Sequence, residues 1–196
     1  MIYGKETFLE IFDKYITREG ADKLRNYLLS SDFFTAPAST KFHSAFEGGL
    51  CDHSVKTYKR LLFNVENEFG SNWEEHVSHE TIAITSLLHD LCKIDYYKKD
   101  YRNVKENGQW VKKECYVKDE TLPYGHGEKS VYIVNGFIRL TREEAIAINW
   151  HMGGFDSRVK GGDGSISVAF DKFPLAVLVH VSDLEATYFD EKRSID

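Results

Sequence analysis

Apolar residues recur at the three- and four-residue spacing of an α-helix along most of the chain. Residues 5–16 show this spacing clearly and residues 21–30 repeat it more weakly, so each predicts an amphipathic helix. The same periodicity predicts five later helices, at residues 51–69, 78–93, 126–139, 142–151 and 172–189. The fourth of these begins with a capping box, because Thr141 stands three residues before Glu144.

Two kinds of interruption separate these helices. Residues 33–49 and 153–165 contain proline or glycine breakers and lack a core pattern, so they predict loops. Between residues 101 and 117 the pattern becomes that of two strands flanking Asn107-Gly108, which is the strongest short hairpin signal. The chain as a whole is predicted to be all-α, a helical bundle with one inserted β-hairpin at about residues 99–117.

Length and composition narrow the class of protein. A chain of 196 residues with 42% hydrophobic residues is long enough for one domain with its own packed core. The net charge of −6 excludes a general nucleic-acid scaffold, although it leaves room for a local basic patch. No apolar stretch approaches the ~20 residues of a membrane span, and the first residues lack the apolar core of a signal peptide. The three cysteines form no C-x-x-C pair, so we expect a reduced, cytoplasmic protein that has no membrane partner.

The apolar run of the predicted 78–93 helix is interrupted by an adjacent His89 and Asp90. A buried carboxylate costs several kcal/mol unless a cation, hydrogen bonds or a metal ion compensate it. Imidazole is the commonest metal-binding side chain, so the pair indicates a metal site. Lys93 follows one turn later and adds a positive charge suited to a phosphate group.

Further candidate ligands lie on the other predicted helices, as a site in the core of a helical bundle requires. They are His53 and His126 in the first turns of their helices, His151 at the end of another, and His180 with Asp183 on one face of the last. Nitrogen and oxygen donors without cysteine suit a divalent ion of Mn, Fe, Co, Ni, Zn or Mg better than a structural zinc. The set is large enough for one ion per chain, or for two ions that share Asp90.

The order of these residues along the chain carries a family resemblance. His53, His89-Asp90 and Asp183 resemble the H…HD…D signature of the HD-domain superfamily of metal-dependent phosphohydrolases, over roughly residues 45–190. Members of this superfamily are all-helical, bind metal ions inside the bundle and mostly hydrolyse phosphoester bonds of nucleotides or nucleic acids. The resemblance implies that these four residues are the primary metal ligands.

The resemblance also implies a domain organisation and a second metal position. It implies a single HD-type phosphohydrolase domain over residues 1–196, with an N-terminal helical extension at residues 1–45 and an HD core at about residues 46–190. Members that bind two metals supply further ligands at the places of His126 and His151.

We therefore expect a metal-dependent phosphohydrolase or phosphodiesterase that acts on a nucleotide-like phosphoester through metal-bound hydroxide. Asp90 and Lys93 are the expected catalytic residues, and Lys93, Arg158 and Lys160 are the expected phosphate contacts. The cyclic-dinucleotide branch of the superfamily has paired histidines where this chain has tryptophan and histidine, so that activity is not expected.

Two alternatives stay open at this point. A 3′-end nuclease on single-stranded RNA or DNA would use the hairpin, where seven Lys or Arg stand against three acids between residues 98 and 118. Tyr101, Trp110 and Tyr116 are interleaved with these charges, although an ordinary solvated hairpin has the same pattern. The second alternative is a catalytically silent HD module that senses a nucleotide or scaffolds a partner.

The remaining polar residues near these positions have plainer interpretations. His180 is interpreted as a supporting or core residue rather than a ligand. Cys51 and Cys92 flank candidate ligands and are expected to pack against helices. The other histidines are interpreted as solvated or structural, namely His43, His76 and His79.

Overall fold

The computed structural model describes residues 2–41 and 43–191, and it is mostly helical with one two-stranded antiparallel hairpin. The predicted helical fold with an inserted hairpin is therefore confirmed. The helices in chain order are α1 (Lys5–Tyr15), α2 (Ala21–Ser30), α3 (Gly49–Phe69), α4 (His79–Leu87), α5 (His126–Asn135), α6 (Arg142–Trp150), α7 (Ser157–Lys160), α8 (Ser165–Lys172) and α9 (Pro174–Glu185). The strands β1 (Tyr97–Glu106) and β2 (Gln109–Lys118) lie between α4 and α5.

The long helix α3 is the centre of the core, because it packs against α1, α4 and α9. Its apolar residues Leu50, Val55, Leu61 and Val65 are completely buried, as their helical spacing predicts. Burial of each such side chain stabilises the fold by roughly 1.5–3 kcal/mol. The helices α5 and α6 pack together, and α6 also contacts α9, so the later helices close over the same core.

Arg18, in the connection between α1 and α2, ties the N-terminal segment to the later helices. Its guanidinium donates to Glu80 of α4 at 3.2 Å and to both carboxylate oxygens of Glu144 of α6 at 2.8 and 2.9 Å. The Glu144 side chain is fully buried and also completes the predicted capping box with Thr141. The first helices are therefore part of the packed core.

The predicted helix over residues 78–93 is wrong in its second half. Helix α4 ends at Leu87, Leu88 and Asp90 have non-helical backbone angles, and a short 3-10 turn covers Leu91–Lys93. The end of a helix leaves carbonyl groups without an internal partner, and the His89 ring donates Nδ1–H to one of them, that of Ser86, at 2.7 Å. His89 and Asp90 thus lie in a buried turn and not within a helix.

The C-terminal helix was also predicted with the wrong start. Helix α8 was not predicted apart from its last residue, Lys172, and α9 begins at Pro174 and not at residue 172. Phe173 between them has φ −131° and ψ 87°, because a residue before proline is sterically disfavoured in the helical region. A π-helical turn, Ala186–Asp190, follows α9.

The hairpin pairs every residue from Tyr97 opposite Lys118 to Glu106 opposite Gln109. Asn107 and Gly108 both have positive φ, 50° and 85°, as a two-residue type I′ turn requires. The pairing extends slightly beyond the predicted residues 99–117.

Within the described residues, no single helix has the length and apolar character needed to cross a membrane. By length and composition alone, the bent pair Ser165–Lys172 and Pro174–Asp190 passes this criterion when its two helices are taken together.

Candidate metal centre

Polar side chains from separate parts of the fold meet in the core. They come from five different helices or turns, which is how a helical bundle builds an internal site. The group comprises His53 of α3, His89 and Asp90 of the turn after α4, His126 at the start of α5, His151 just after α6, and Asp183 of α9. The structure therefore brings together every residue that the sequence predicts as a metal ligand.

The four residues of the predicted signature surround one point. His53 Nε2 lies 3.2 Å from His89 Nε2 and 3.1 Å from Asp183 Oδ1. Asp90 Oδ2 lies 3.5 Å from His53 Nε2 and 3.4 Å from His89 Nε2. All of these atoms are nitrogens or oxygens that can bind a divalent cation.

The second carboxylate oxygen of Asp90 faces another pair of histidines. Asp90 Oδ1 is 2.8 Å from His126 Nε2 and 3.5 Å from His151 Nε2. Asp90 thus offers one oxygen to each half of the centre. His89, His151 and Asp183 also place one ligand atom each within 4.8 Å of one another.

The ring orientations decide which nitrogens carry lone pairs. A backbone carbonyl only accepts hydrogen bonds, so the Nδ1–H of His89 donates to Ser86 and the Nδ1–H of His151 donates to Ile148, both at 2.7 Å. His53 Nδ1 lies 2.6 Å from the carboxylate of Glu191, which also only accepts. In the neutral imidazoles the three Nε2 atoms then carry lone pairs that point into the centre.

With neutral imidazoles, the centre has hydrogen-bond acceptors facing one another. Among the described residues the buried His151 Nε2 has no hydrogen-bond partner. Three imidazole lone pairs and two carboxylates then converge, and a bound cation satisfies all of them at once, in the place of the proton that His53 otherwise holds. The residues present therefore fit a divalent metal ion held by nitrogen and oxygen.

The pKa shifts of the buried groups show how charge is distributed in the centre. Burial raises the pKa of Asp90, but Lys93 and His89 outweigh it and hold that pKa well below its ordinary value. The pKa of Asp183 is likewise lowered against burial, chiefly by His53. Burial lowers the pKa of His53, but the carboxylates of Glu191 and Asp183 more than compensate and raise it to about 10. Both carboxylates are thus ionised, and the centre attracts positive charge.

Glu191 is a site residue that the sequence analysis missed. Its side chain is completely buried and accepts from His53 Nδ1 at 2.6 Å, His43 Nδ1 at 2.7 Å and Ser44 Oγ at 2.8 Å. Nothing in the pattern singles it out, because it stands in a charged segment near the end of the sequence that reads as solvated. His43, interpreted as solvated or structural, is a structural partner of this carboxylate.

Lys93 is buried at the edge of the centre. Its Nζ donates to Asp90 Oδ2 at 2.6 Å, so the ammonium fixes the orientation of the shared carboxylate. Burial lowers the pKa of Lys93, but Asp90 outweighs it and keeps the side chain charged. Lys93 is therefore a buried cation beside the candidate metal position.

Arg158 is fully engaged by the protein. Its five N–H groups donate to Asp156, Glu128 and Asn149, and its guanidinium lies 4.1 Å from the ring centre of Trp150. In this arrangement Arg158 stabilises the end of α6, and all its guanidinium N–H groups are occupied, so none is available to a phosphate.

The two remaining candidates, Lys160 and His180, differ in exposure. Lys160 is exposed, with its Nζ 5.8 Å from the ring centre of Phe155. His180 is half-buried, and its Nδ1–H donates to the carbonyl oxygen of His151 at 2.6 Å, which agrees with a supporting position.

No family model matches the chain, and no curated protein or solved structure matches it either. The site is therefore described by its own geometry: a buried set of nitrogen and oxygen ligands, one shared carboxylate and one buried ammonium. Such a set can bind one or two divalent ions and place a cationic side chain beside them.

Proposed function

We propose that this chain is a metal-dependent phosphohydrolase or phosphodiesterase of the HD-domain type, acting on a nucleotide-like phosphoester. The observation that carries the proposal is the convergence of ring nitrogens from His53, His89 and His151 with the carboxylates of Asp90 and Asp183. Their order along the chain is that of the superfamily signature, which supports the same class of enzyme.

The roles of the residues follow from their contacts. His53, His89, Asp90 and Asp183 would hold one ion, and His126 and His151 would hold a second one beside Asp90. When bound, the metal polarises a phosphoryl oxygen and makes hydroxide available at neutral pH. Lys93 keeps Asp90 oriented and adds positive charge where the phosphate becomes more negative during the reaction.

Exposure indicates where a substrate enters. His53, His89 and His151 are almost completely buried, whereas the side chains of His126 and Asp183 are 30% and 14% exposed. The phosphoester therefore reaches the centre from the side of His126 and Asp183, and the buried histidines exclude water from behind.

Metal analysis and a substrate panel test this proposal directly. The purified protein is analysed for bound metal and then assayed with phosphomonoesters and with bis(p-nitrophenyl) phosphate, with Mn, Co, Ni, Mg or Zn added. We expect the Asp90→Asn variant to lose its metal and to turn over substrate at least about a hundredfold more slowly, since a shared ligand is lost.

The matched control is Asp163→Asn, which alters a partly exposed carboxylate outside the centre that accepts from the Ser165 amide at 2.8 Å. It should retain metal and activity. Full metal content and activity in a folded Asp90→Asn protein would contradict the proposal.

A further inference from the structure

The two faces of the hairpin have different chemistry. Side chains alternate between faces along a strand, so the pairing register assigns each residue to one side. One side, here called the aromatic-lysine face, consists of Tyr97, Lys99, Tyr101, Asn103, Lys105, Trp110, Lys112, Glu114, Tyr116 and Lys118. It contains every aromatic residue of the two strands.

The aromatic-lysine face is also the more positive one. It carries four lysines and a single acid, Glu114, whereas the reverse face carries three basic residues and two acids. Lys99 pairs with Glu114 at 3.3 Å, but Lys105 and Lys112 have no acidic partner among the residues that the structure describes. This face is therefore a local basic patch on an acidic chain.

The aromatic rings of this face are directed to solvent and not to the core. Tyr101 and Trp110 are 65% and 71% exposed, although burial of such rings is the usual source of their stabilisation. Exposed rings interleaved with unpaired lysines are the combination that binds single-stranded nucleic acid, because bases stack on the rings while the ammonium groups contact phosphates.

The base of this face lies close along the chain to the metal centre. Tyr97 begins β1 four residues after Lys93, which donates to Asp90 at 2.6 Å. Lys118, opposite Tyr97, ends β2, and the chain then returns to His126 at the exposed side of the centre. Both strands thus connect the tip of the hairpin to the metal ligands.

We propose that single-stranded nucleic acid lies along the aromatic-lysine face and presents a phosphodiester to the metal centre. This substrate class rests on the proposed function above. In the reaction, water adds to phosphorus while the bond to the leaving sugar oxygen breaks and a proton passes to that oxygen, so no other reactant is needed.

Binding is tested first without metal, so that the result does not depend on the metal centre. A fluorescent oligonucleotide of about ten thymidines, within the size range of single-strand sites, is titrated with protein in chelator. We expect Lys105→Ala/Lys112→Ala to weaken binding by about tenfold or more and to reduce the slope of log affinity against log salt by about 1.4. Trp110→Ala should weaken binding by about five- to 150-fold through lost stacking.

The controls change the reverse face of the same hairpin. Arg102→Ala/Lys113→Ala removes the same charge, and Val111→Ala truncates a residue next to Trp110 in sequence but on the other side. Both should bind like the wild type. The proposal would be overturned if substitutions on both faces reduced the affinity for the oligonucleotide equally. It would also be overturned if the wild type did not bind oligonucleotides at low salt.

Hydrolysis assays with two substrates distinguish failure of this inference from failure of the proposed hydrolase function. Mn-loaded wild type is assayed with the oligonucleotide and with bis(p-nitrophenyl) phosphate. Turnover of the small diester without oligonucleotide binding overturns only the nucleic-acid assignment. Oligonucleotide binding without turnover of either compound overturns the proposed hydrolase, and the substrate assignment with it.

Discussion

Three histidines of the candidate metal centre are each oriented by a hydrogen-bond acceptor at the ring nitrogen that faces away from the centre. For His89 and His151 this acceptor is a backbone carbonyl, which no side-chain substitution removes. For His53 it is the carboxylate of Glu191, which also holds His43. A carboxylate on the far nitrogen fixes the tautomer and makes the metal-binding nitrogen more basic.

Glu191→Gln therefore tests how much the centre depends on a residue that does not touch the metal position. The amide can still accept a hydrogen bond, but its negative charge is lost. We expect the affinity for Mn or Zn to fall by about 10- to 100-fold, as measured by competition with a calibrated chelator.

Asp190→Asn is the matched control, because it removes the neighbouring carboxylate, which binds Arg60 at 2.6 Å on the surface. Its metal affinity should match that of the wild type. An unchanged affinity in Glu191→Gln, or an equal loss in both variants, would show that Glu191 does not tune the centre.

At this scale the sequence identifies the candidate ligands but not the residues that support them. His53, His89, Asp90 and Asp183 are recognisable because buried polar residues in apolar helical patterns need a physical reason. Glu191 has no such setting, since charged residues surround it in the sequence and only the tertiary fold buries it. Supporting residues of this kind follow from three-dimensional packing alone.

At the scale of elements, the end of α4 illustrates why the sequence does not predict some helix boundaries. Residues 82–88 are apolar or small and contain no glycine or proline, so nothing local marks a helix end at Leu87. The contacts of Asp90 with His53 and His126, which lie on other helices, stabilise the end of the helix at this point. In contrast, Asn107-Gly108 and the Thr141 capping box are local signals, and both were predicted correctly.

Helices α5 and α6 approach closely at Gly127, next to the candidate ligand His126. A Cβ atom at this position would lie 2.2 Å from the backbone oxygen of Asn149 in α6. Gly127→Ala must therefore push α5 away from α6, and overpacking of this kind typically costs about 1–3 kcal/mol. We expect a lower free energy of unfolding, measured by chemical denaturation, and weaker metal binding at the position of His126 and His151.

Gly154→Ala provides the comparison, because a Cβ atom there would meet nothing within 4 Å. It should leave both the free energy of unfolding and the metal content close to those of the wild type. Wild-type stability and metal content in Gly127→Ala would mean that the close approach of α5 and α6 does not position His126.

At the scale of the whole molecule, the candidate ligands come from five separated parts of the chain. The sequence pattern supplies the helices, but it does not say that α3 packs against both α4 and α9, which is what brings His53 to Asp90 and Asp183. Helical periodicity specifies which face of a helix is buried and leaves the choice of neighbour to the packing of the complete core.

A metal bound by all of these elements should stabilise the entire fold. The unfolded chain does not preserve the site, so a ligand present at 100 times its Kd stabilises the folded state by about 2.7 kcal/mol. For a chain of this size that corresponds to a rise in Tm of about 5–10 °C. Differential scanning fluorimetry with added Mn, and with a chelator, measures the shift. The Asp90→Asn variant should show no shift, because it lacks the carboxylate shared by both halves of the centre. An identical Tm of the wild type with metal and with chelator would contradict a metal centre held in the core.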